Sequence, residues 1–235
     1  MNNYDPVKIV QVDLGGYKIS TSGQLDGYGL KHINDILDCF RDLIKDDFLA
    51  GKKFTNGMEW CSGPGYIGFM MMKYGMIHNC VFADIHEPLS DTINKSISDN
   101  MLLIKPRKAE FIVSNNFRNI PKRKFDIIFG NPPHFSFADD WKPNNQEEFD
   151  LYNEDRKHLD KDWKIHQDFF NNVSEYLAED GCILLMENIK GSSLETFNDM
   201  IEENNLKITK AMISKEWPDD IWYMKVQHAS NSNVN

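Results

Sequence analysis

The sequence predicts an α/β fold in which a doubly wound, mainly parallel sheet carries helices on both faces. From residue 57 onward, short apolar runs typical of strands alternate with runs whose apolar residues recur at helical spacing. This alternation is typical of parallel strands joined by crossover helices. The chain has 235 residues, of which 41% are hydrophobic, so one large domain can bury a sizeable core.

Each predicted element follows from its local pattern. Strands are predicted where a short apolar run is bounded by turn residues: 57–61, 80–84, 111–113, 125–129, 182–187, 208–214 and 222–227. Helices are predicted where apolar residues recur at three- and four-residue spacing: at 67–74 and 89–100, within 158–177 and near 193–203. The last two strands are expected to form a terminal pair.

The N-terminal segment has a different pattern. Residues 7–12 and 17–20 predict a hairpin with a turn at 13–16, and 31–45 carry an apolar stripe that predicts a helix. We therefore expect three parts: an N-terminal hairpin and helix at 1–50, a main domain at 51–229 on which they pack, and a flexible tail at 230–235.

Charge argues against a nucleic-acid backbone as the main partner. The formal net charge is −10 and the pI is near 5.1, whereas phosphate binding depends on Lys and Arg. Two basic runs, 105–108 and 122–124, flank predicted strands. We interpret both as solvated strand ends.

Cysteines and termini indicate the compartment. Cys39, Cys61, Cys80 and Cys182 are widely spaced and lie near no histidine cluster, so neither a metal site nor a disulfide framework is expected. A reducing compartment follows. The first residues lack a basic start with an apolar stretch, and no long apolar run occurs, so we expect a soluble, cytoplasmic protein with no membrane partner.

The motif Asn131-Pro132-Pro133-His134 directly follows the apolar strand 125–129 and Gly130. A ligand crevice of an open α/β sheet lies outside the carboxyl ends of such strands. Each proline fixes its own φ and restricts the residue before it. The side-chain oxygen of Asn131 and the backbone oxygen of Pro132 can together accept both protons of one planar NH₂ group.

Three other strand ends carry polar or glycine residues. Glu59, Cys61, Gly63 and Gly65 mark a strand end, a glycine loop and a helix start, where a ligand can approach the backbone. A tight turn without a ligand has the same pattern. Asp84 ends the next strand, where an acid can hold ribose hydroxyls or cap a helix. Asn115 follows the third strand, either near an adenine or as an ordinary loop residue.

Taken together, these motifs resemble class I S-adenosylmethionine-dependent methyltransferases, specifically their amino-methylating branch. The similarity covers about residues 54–228, and Asn131-Pro132-Pro133-His134 is its most specific part. The resemblance implies a seven-stranded Rossmann-like methyltransferase sheet, S-adenosyl-L-methionine as cofactor, and methyl transfer to an acceptor nitrogen held by Asn131 and Pro132.

The resemblance also implies residue roles. Glu59, Cys61, Gly63 and Gly65 would line the methionine half of the cofactor, Asp84 would hold the ribose, and Asn115 would lie near the adenine. The family usually has Asp where this chain has Asn115. Pro64 interrupts the loop of small residues that is usual in the family. His134 stands where the family often has Tyr, Phe or Trp. It keeps a flat ring that can also donate a hydrogen bond or titrate, unless it faces the surface.

The sequence leaves the acceptor open. The stretch 135–162 is long for an ordinary connection and combines aromatic residues with a surplus of acids, so it either shapes the acceptor site or forms a solvated lid. Acidity favours a small molecule or a protein side chain with an amino or amide nitrogen over a nucleic-acid base. Residues 24–29 are expected either to wall the pocket or to form a turn. Rival hypotheses are a non-methylating alkyl transfer or cyclisation, and a non-catalytic scaffold.

Overall fold

The computed structural model describes residues 9–21, 29–136 and 158–229. The N-terminal part contains strands β1 and β2 and helices α1 and α2, which span Val10–Leu14, Tyr17–Thr21, Gly29–Leu43 and Lys45–Leu49. β1 and β2 pair antiparallel. Gly15 and Gly16 alone form their turn, with φ values of 63° and 95° that favour glycine. The predicted hairpin is therefore present with a shorter turn than 13–16.

The remaining strands form one sheet. They are β3 at Asn56–Trp60, β4 at Asn79–Asp84, β5 at Ala109–Val113, β6 at Phe125–Gly130, β7 at Leu177–Asn188, β8 at Leu206–Ile213 and β9 at Ile221–His228. The helices are α3 at Tyr66–Lys73, α4 at Leu89–Asp99, α5 at Met101–Ile104, α6 at Lys164–Val173 and α7 at Leu194–Glu202; a 3₁₀ turn at Lys161–Trp163 precedes α6.

The sheet order is β5-β4-β3-β6-β7-β9-β8. The first five strands in this order are parallel, and β9 is antiparallel to both of its neighbours. The predicted fold class is therefore confirmed, as a seven-stranded, mainly parallel sheet with flanking helices. Strand order reverses between β3 and β6, so a crevice is expected outside their carboxyl ends.

Two hydrophobic clusters cover the two faces of the sheet. Alternate residues of β6 divide between them, with Ile127 and Phe129 in one cluster and Ile128 in the other. The hairpin and α1 contribute Ile19 and Phe40 to the first of these clusters. The N-terminal segment thus shares a core with the sheet.

The helix predicted within 158–177 is present and is shorter than that range. Within the predicted range 158–177, α6 covers only Lys164–Val173, and β7 already begins at Leu177. Asp160 explains the late start, because its carboxylate accepts the N–H groups of Ile165 and His166 in the first turn of α6. The short helices α2 and α5 were not predicted.

The opposite, amino-terminal edge of the sheet carries the two basic runs. Lys105, Arg107, Lys108 and Arg123 line a second cavity of about 680 Å³ there, next to Glu110. Within the described ranges, the chain has no helix with the length and apolar character needed to cross a membrane.

Candidate active site

A cavity of about 740 Å³ opens at the carboxyl ends of β3, β4 and β6. It brings together most of the predicted site residues: Glu59, Cys61, Gly63, Asp84, Asn115, Asn131, Pro132, Pro133 and His134. The ends of four adjacent strands, β5, β4, β3 and β6, supply these residues, as the strand order at this edge requires. Gly65 is the predicted residue that does not line the cavity.

The glycine loop between β3 and α3 has a left-handed backbone at three positions. Cys61, Gly63 and Gly65 have φ values of 52°, 48° and 82°. Gly65 precedes α3, and a Cβ there would come within 2.9 Å of the Phe82 ring. Close packing of the loop on β4 therefore accounts for glycine at this position.

Glu59 is buried at the end of β3 and faces the first turn of α3. Its Oε2 accepts the N–H of Gly68 at 2.8 Å. Burial raises the pKa of Glu59 to about 8, although the N–H groups of Gly68 and Ile67 oppose that rise. The carboxyl group can therefore gain or lose a proton near neutral pH when a charged ligand arrives.

Asp84 links the ends of β3 and β4. Its Oδ2 accepts the N–H of Gly63 and its Oδ1 the N–H of His86, both at 2.9 Å. Burial raises the pKa of Asp84, and these backbone donors lower it in part. Each carboxylate oxygen retains further lone-pair capacity, so the group can also accept hydroxyl donors from a ligand.

The two asparagines after β5 have different environments. Asn115 is exposed and lines the cavity. Asn116 is buried; it accepts Trp60 Nε1 at 2.7 Å and donates to Asp168 Oδ2 at 2.7 Å. Asn116 therefore ties β3 to α6, a role that the sequence analysis did not anticipate.

Asn131 has an unusual side-chain oxygen. Its Oδ1 is buried and has no hydrogen-bond partner among the described residues. Pro132 and Pro133 line the same cavity directly after it. Because buried acceptors nearly always have partners, this oxygen has unused capacity for an N–H group of a ligand.

His134 is buried, not at the surface, with 8% exposure. It begins a row of ionisable side chains that we call the buried relay: His134, Glu187, His166 and Asp160. His134 Nδ1 lies 3.4 Å from Glu187 Oε2, Glu187 Oε1 lies 3.1 Å from His166 Nε2, and His166 Nδ1 lies 2.6 Å from Asp160 Oδ2. The inner three residues are fully buried.

The relay contains opposed charges. Burial alone lowers the pKa of His166, but Glu187 and Asp160 outweigh it and raise that pKa to about 9. Burial alone raises the pKa of Glu187, but His166 and His134 together bring it below its usual value. His166 is therefore an imidazolium between two carboxylates at neutral pH.

The segment 158–165 contributes a wall of the cavity, whereas the sequence predicted only a helix within 158–177 and a site-shaping or lid stretch at 135–162. Phe135 donates its N–H to His158 O at 3.0 Å and accepts the N–H of Asp160 at 2.8 Å, which joins this segment to the motif loop. The sequence signal that could have revealed this segment was Asp160, because Asp is a residue type that often caps the first turn of a helix. The stretch predicted as a lid or acceptor wall falls largely on 137–157, which lies outside the described residues. The predicted pocket wall at 24–29 lies outside them too, except for Gly29, which lines the cavity.

Comparison with known proteins shows which fold this chain shares. No protein-family model matches the chain. A ribosomal protein uL3 glutamine methyltransferase of Xylella fastidiosa (strain 9a5c) is 27% identical over 94 residues, which are 40% of this chain and 29% of that protein. The chain thus matches less than a third of that relative's length.

Two solved structures resemble most of the chain. The TYW2 protein of P. horikoshii in complex with MeSAdo superposes with a TM-score of 0.58 at 11% identity, covering 97% of this chain and 74% of that one. The magnesium protoporphyrin IX methyltransferase of Synechocystis PCC 6803 with bound SAM gives 0.54 at 11% identity, covering 84% and 79%. The chain has the class I S-adenosylmethionine-dependent methyltransferase fold. Among the described residues, no group of His, Cys, Asp and Glu side chains is arranged to hold a metal ion.

Proposed function

We propose that this protein is an S-adenosylmethionine-dependent N-methyltransferase that acts on an amino or amide nitrogen of a small molecule or a protein side chain. The observation that carries the proposal is Asn131, a residue of the cavity lined by the glycine loop and Asp84, whose buried Oδ1 has no hydrogen-bond partner among the described residues. The fold and the partial match to a glutamine methyltransferase support the reaction class.

The residues of the crevice suit an adenosyl cofactor with a charged amino-acid tail. Gly63 presents backbone without a side chain, and Asp84 has acceptor capacity for ribose hydroxyls. Glu59 offers a carboxylate to an ammonium group. Asn115 has the exposure needed to contact an adenine edge. When bound, S-adenosylmethionine supplies an electrophilic methyl group on a sulfonium.

The motif residues would orient the acceptor. Hydrogen bonds from an NH₂ group to Asn131 Oδ1 and to the carbonyl oxygen of Pro132 point the nitrogen lone pair away from the motif and toward the methyl group. These bonds strengthen as positive charge develops on the nitrogen in the transition state. Pro133 stiffens the loop, so little reorganisation is required.

A transfer assay tests the proposal. The full chain is incubated with S-adenosylmethionine carrying a tritiated methyl group and with separate acceptor classes: glutamine-containing peptides, ribosomal protein fractions, small primary amines and amides, and RNA or DNA. We expect label on a nitrogen of a peptide, protein or small molecule, with S-adenosylhomocysteine as the second product. Failure to bind S-adenosylhomocysteine in calorimetry contradicts the proposal.

The same assay separates the rival functions. Label on a nucleobase identifies a nucleic-acid N-methyltransferase. Release of methylthioadenosine, with no transferred methyl group, identifies an alkyl transfer or cyclisation that uses another carbon of the cofactor. Cofactor binding without any product indicates a scaffold.

A further inference from the structure

The buried relay lies beside the motif and has no part in holding an NH₂ group. Resting on the proposed function, we propose that His134 accepts the proton released by the methylated nitrogen, and that Glu187, His166 and Asp160 position His134 for this step. His134 would be a catalytic residue, since it lines the cavity, and the other three would act through it.

Geometry fixes the orientation of the His134 ring. Its Nδ1 faces the carboxylate of Glu187, which accepts and cannot donate when ionised. A neutral His134 therefore carries its proton on Nδ1, and Nε2 is the ring nitrogen with a lone pair. The 3.4 Å separation is long, as is common for catalytic hydrogen bonds before substrate binds.

The inner relay residues cannot easily move. Asp160 accepts two backbone N–H groups of α6 in addition to His166. The His166 ring stacks on Phe197 with 4.8 Å between centroids and packs edge-on against Trp60. A Cβ on Gly191, in the loop after β7, would overlap the carbonyl oxygen of His134. Both ends of the relay are therefore held by close packing.

The inner three residues of the relay carry a net charge. With His166 protonated between two carboxylates, the inner three residues carry one net negative charge in a fully buried environment. Buried net charge is costly. In the proposed step, the proton transferred to Nε2 of His134 would bring the net charge of the row to zero.

Other ionisable groups near the relay do not supply that charge. His32 on α1 faces His134, and burial together with Lys31 lowers the pKa of His32, which keeps it neutral. Cys61 faces Asp160 and Glu187, and burial raises the pKa of its thiol, which keeps it protonated. Neither group therefore neutralises the relay, whereas Nδ1 of His134 lies 3.4 Å from Glu187 Oε2.

The proposed step balances as follows. The acceptor nitrogen forms a bond to the methyl carbon, the carbon–sulfur bond breaks, and its electron pair returns to sulfur. The nitrogen then carries one positive charge. One of its N–H groups leaves its acceptor on the motif and gives its proton to Nε2 of His134. The resulting imidazolium pairs with Glu187 and later releases the proton to water. Such a proton acceptor matters most for an amide nitrogen, whose N-protonated product is strongly acidic.

The decisive variant is His134→Phe, because it keeps the flat ring that the family often has at this position and removes the proton acceptor. With the acceptor identified by the transfer assay, we expect kcat to fall on the order of 100-fold with little change in the Kd of S-adenosylhomocysteine. His134→Asn can still donate a hydrogen bond to Glu187, and we expect its kcat to fall by a similar factor. The same Phe replacement at the exposed His78 is the control. Wild-type turnover by His134→Phe or by folded His134→Asn overturns the proposal.

Glu187→Gln tests the positioning role. We expect the pH profile of kcat in this variant to differ from that of the wild type, because residue 187 no longer offers a carboxylate to His134 Nδ1. Glu203→Gln, at an exposed position, should keep the wild-type profile. An unchanged profile in Glu187→Gln contradicts positioning through His134.

Histidine-labelled NMR spectra of the ligand-free chain separate this inference from the proposed function. We expect His134 as the Nδ1–H tautomer and His166 charged at pH 7, and Glu187→Gln should disturb both. An Nε2–H tautomer of His134 in the wild type overturns the relay whatever the enzyme methylates. If the tautomer is as expected but no acceptor is labelled, the methyltransferase proposal fails, and the proton step fails with it.

Discussion

At the residue scale, Asn131 is the most direct test of acceptor binding. Asn131→Ala removes the buried side-chain oxygen of a cavity-lining residue, and this oxygen is proposed to bind developing positive charge. We expect a loss of about 3 kcal/mol of transition-state stabilisation, or roughly 100-fold in kcat. Steady-state kinetics measure this, with Asn94→Ala on the exposed face of α4 as the control. Unchanged turnover in Asn131→Ala excludes the assigned role.

Glu59 is the corresponding test of the cofactor. Glu59→Gln keeps an oxygen that can accept the Gly68 N–H but cannot become a carboxylate. Because a hydrogen bond to a charged group contributes about 1.5–3 kcal/mol, we expect the Kd of S-adenosylhomocysteine to rise about 10- to 100-fold. Calorimetry measures this, and the exposed Glu179→Gln serves as control. Equal affinities would mean that Glu59 serves only to hold α3.

The sequence predicted the residues near the cavity better than it predicted their partners. Asn131 and Asp84 end apolar strands, and parallel strand ends must meet at one edge of a sheet. Glu187 and His166 form their contacts across a long sequence separation, and nothing local marks a buried ion pair. Their interaction with His134 depends on tertiary packing and was not predictable from spacing.

At the element scale, the contact between β3 and α3 depends on a missing side chain. A Cβ on Gly68 would lie 2.6 Å from Glu59 Oε2 and 2.6 Å from the Phe82 ring. We expect Gly68→Ala to lower the free energy of unfolding by about 1–3 kcal/mol through overpacking. Urea denaturation measures it. The control is Gly29→Ala at the start of α1, where a Cβ would meet no atom closer than 3.5 Å. Equal stability of both variants would contradict this packing argument.

Helices and strands were predictable where buried apolar residues recur at a regular spacing along the chain. The central strands β4 and β6 contain the apolar runs 80–83 and 127–129, which are buried on both faces of the sheet. The end of α6 and the start of β7 were missed because Tyr176 and Leu177 fit a helical stripe as well as a strand. Short helices such as α5 carry too few residues to show a period.

At the scale of the whole molecule, buried titratable groups should make stability depend on pH. Glu59 and His166 have folded-state pKa values of about 8 and about 9, above their ordinary values of 4.5 and 6.5. Between the ordinary and the folded values, the folded protein binds more protons than the unfolded chain. Stability therefore falls as pH rises through this range.

We accordingly expect the free energy of unfolding to decrease from pH 6.5 to pH 9, with His166 contributing up to about 3 kcal/mol of that change. Urea denaturation at several pH values measures it. Glu59→Gln and His166→Gln should each flatten the dependence, whereas His78→Gln at an exposed site should not. A wild-type stability that rises over this interval would show that the His166 imidazolium is absent.

The orphaned oxygen of Asn131 has a consequence for how this protein responds to selection. A buried acceptor without a partner costs on the order of 1–3 kcal/mol in the ligand-free fold. A leucine of similar shape would avoid that cost, so a screen that rewards heat resistance alone should enrich apolar residues at this position while the activity disappears. The asparagine would persist only where methylation itself is selected. The residue found at position 131 in a selected library would therefore show whether the selection acted on activity or on stability.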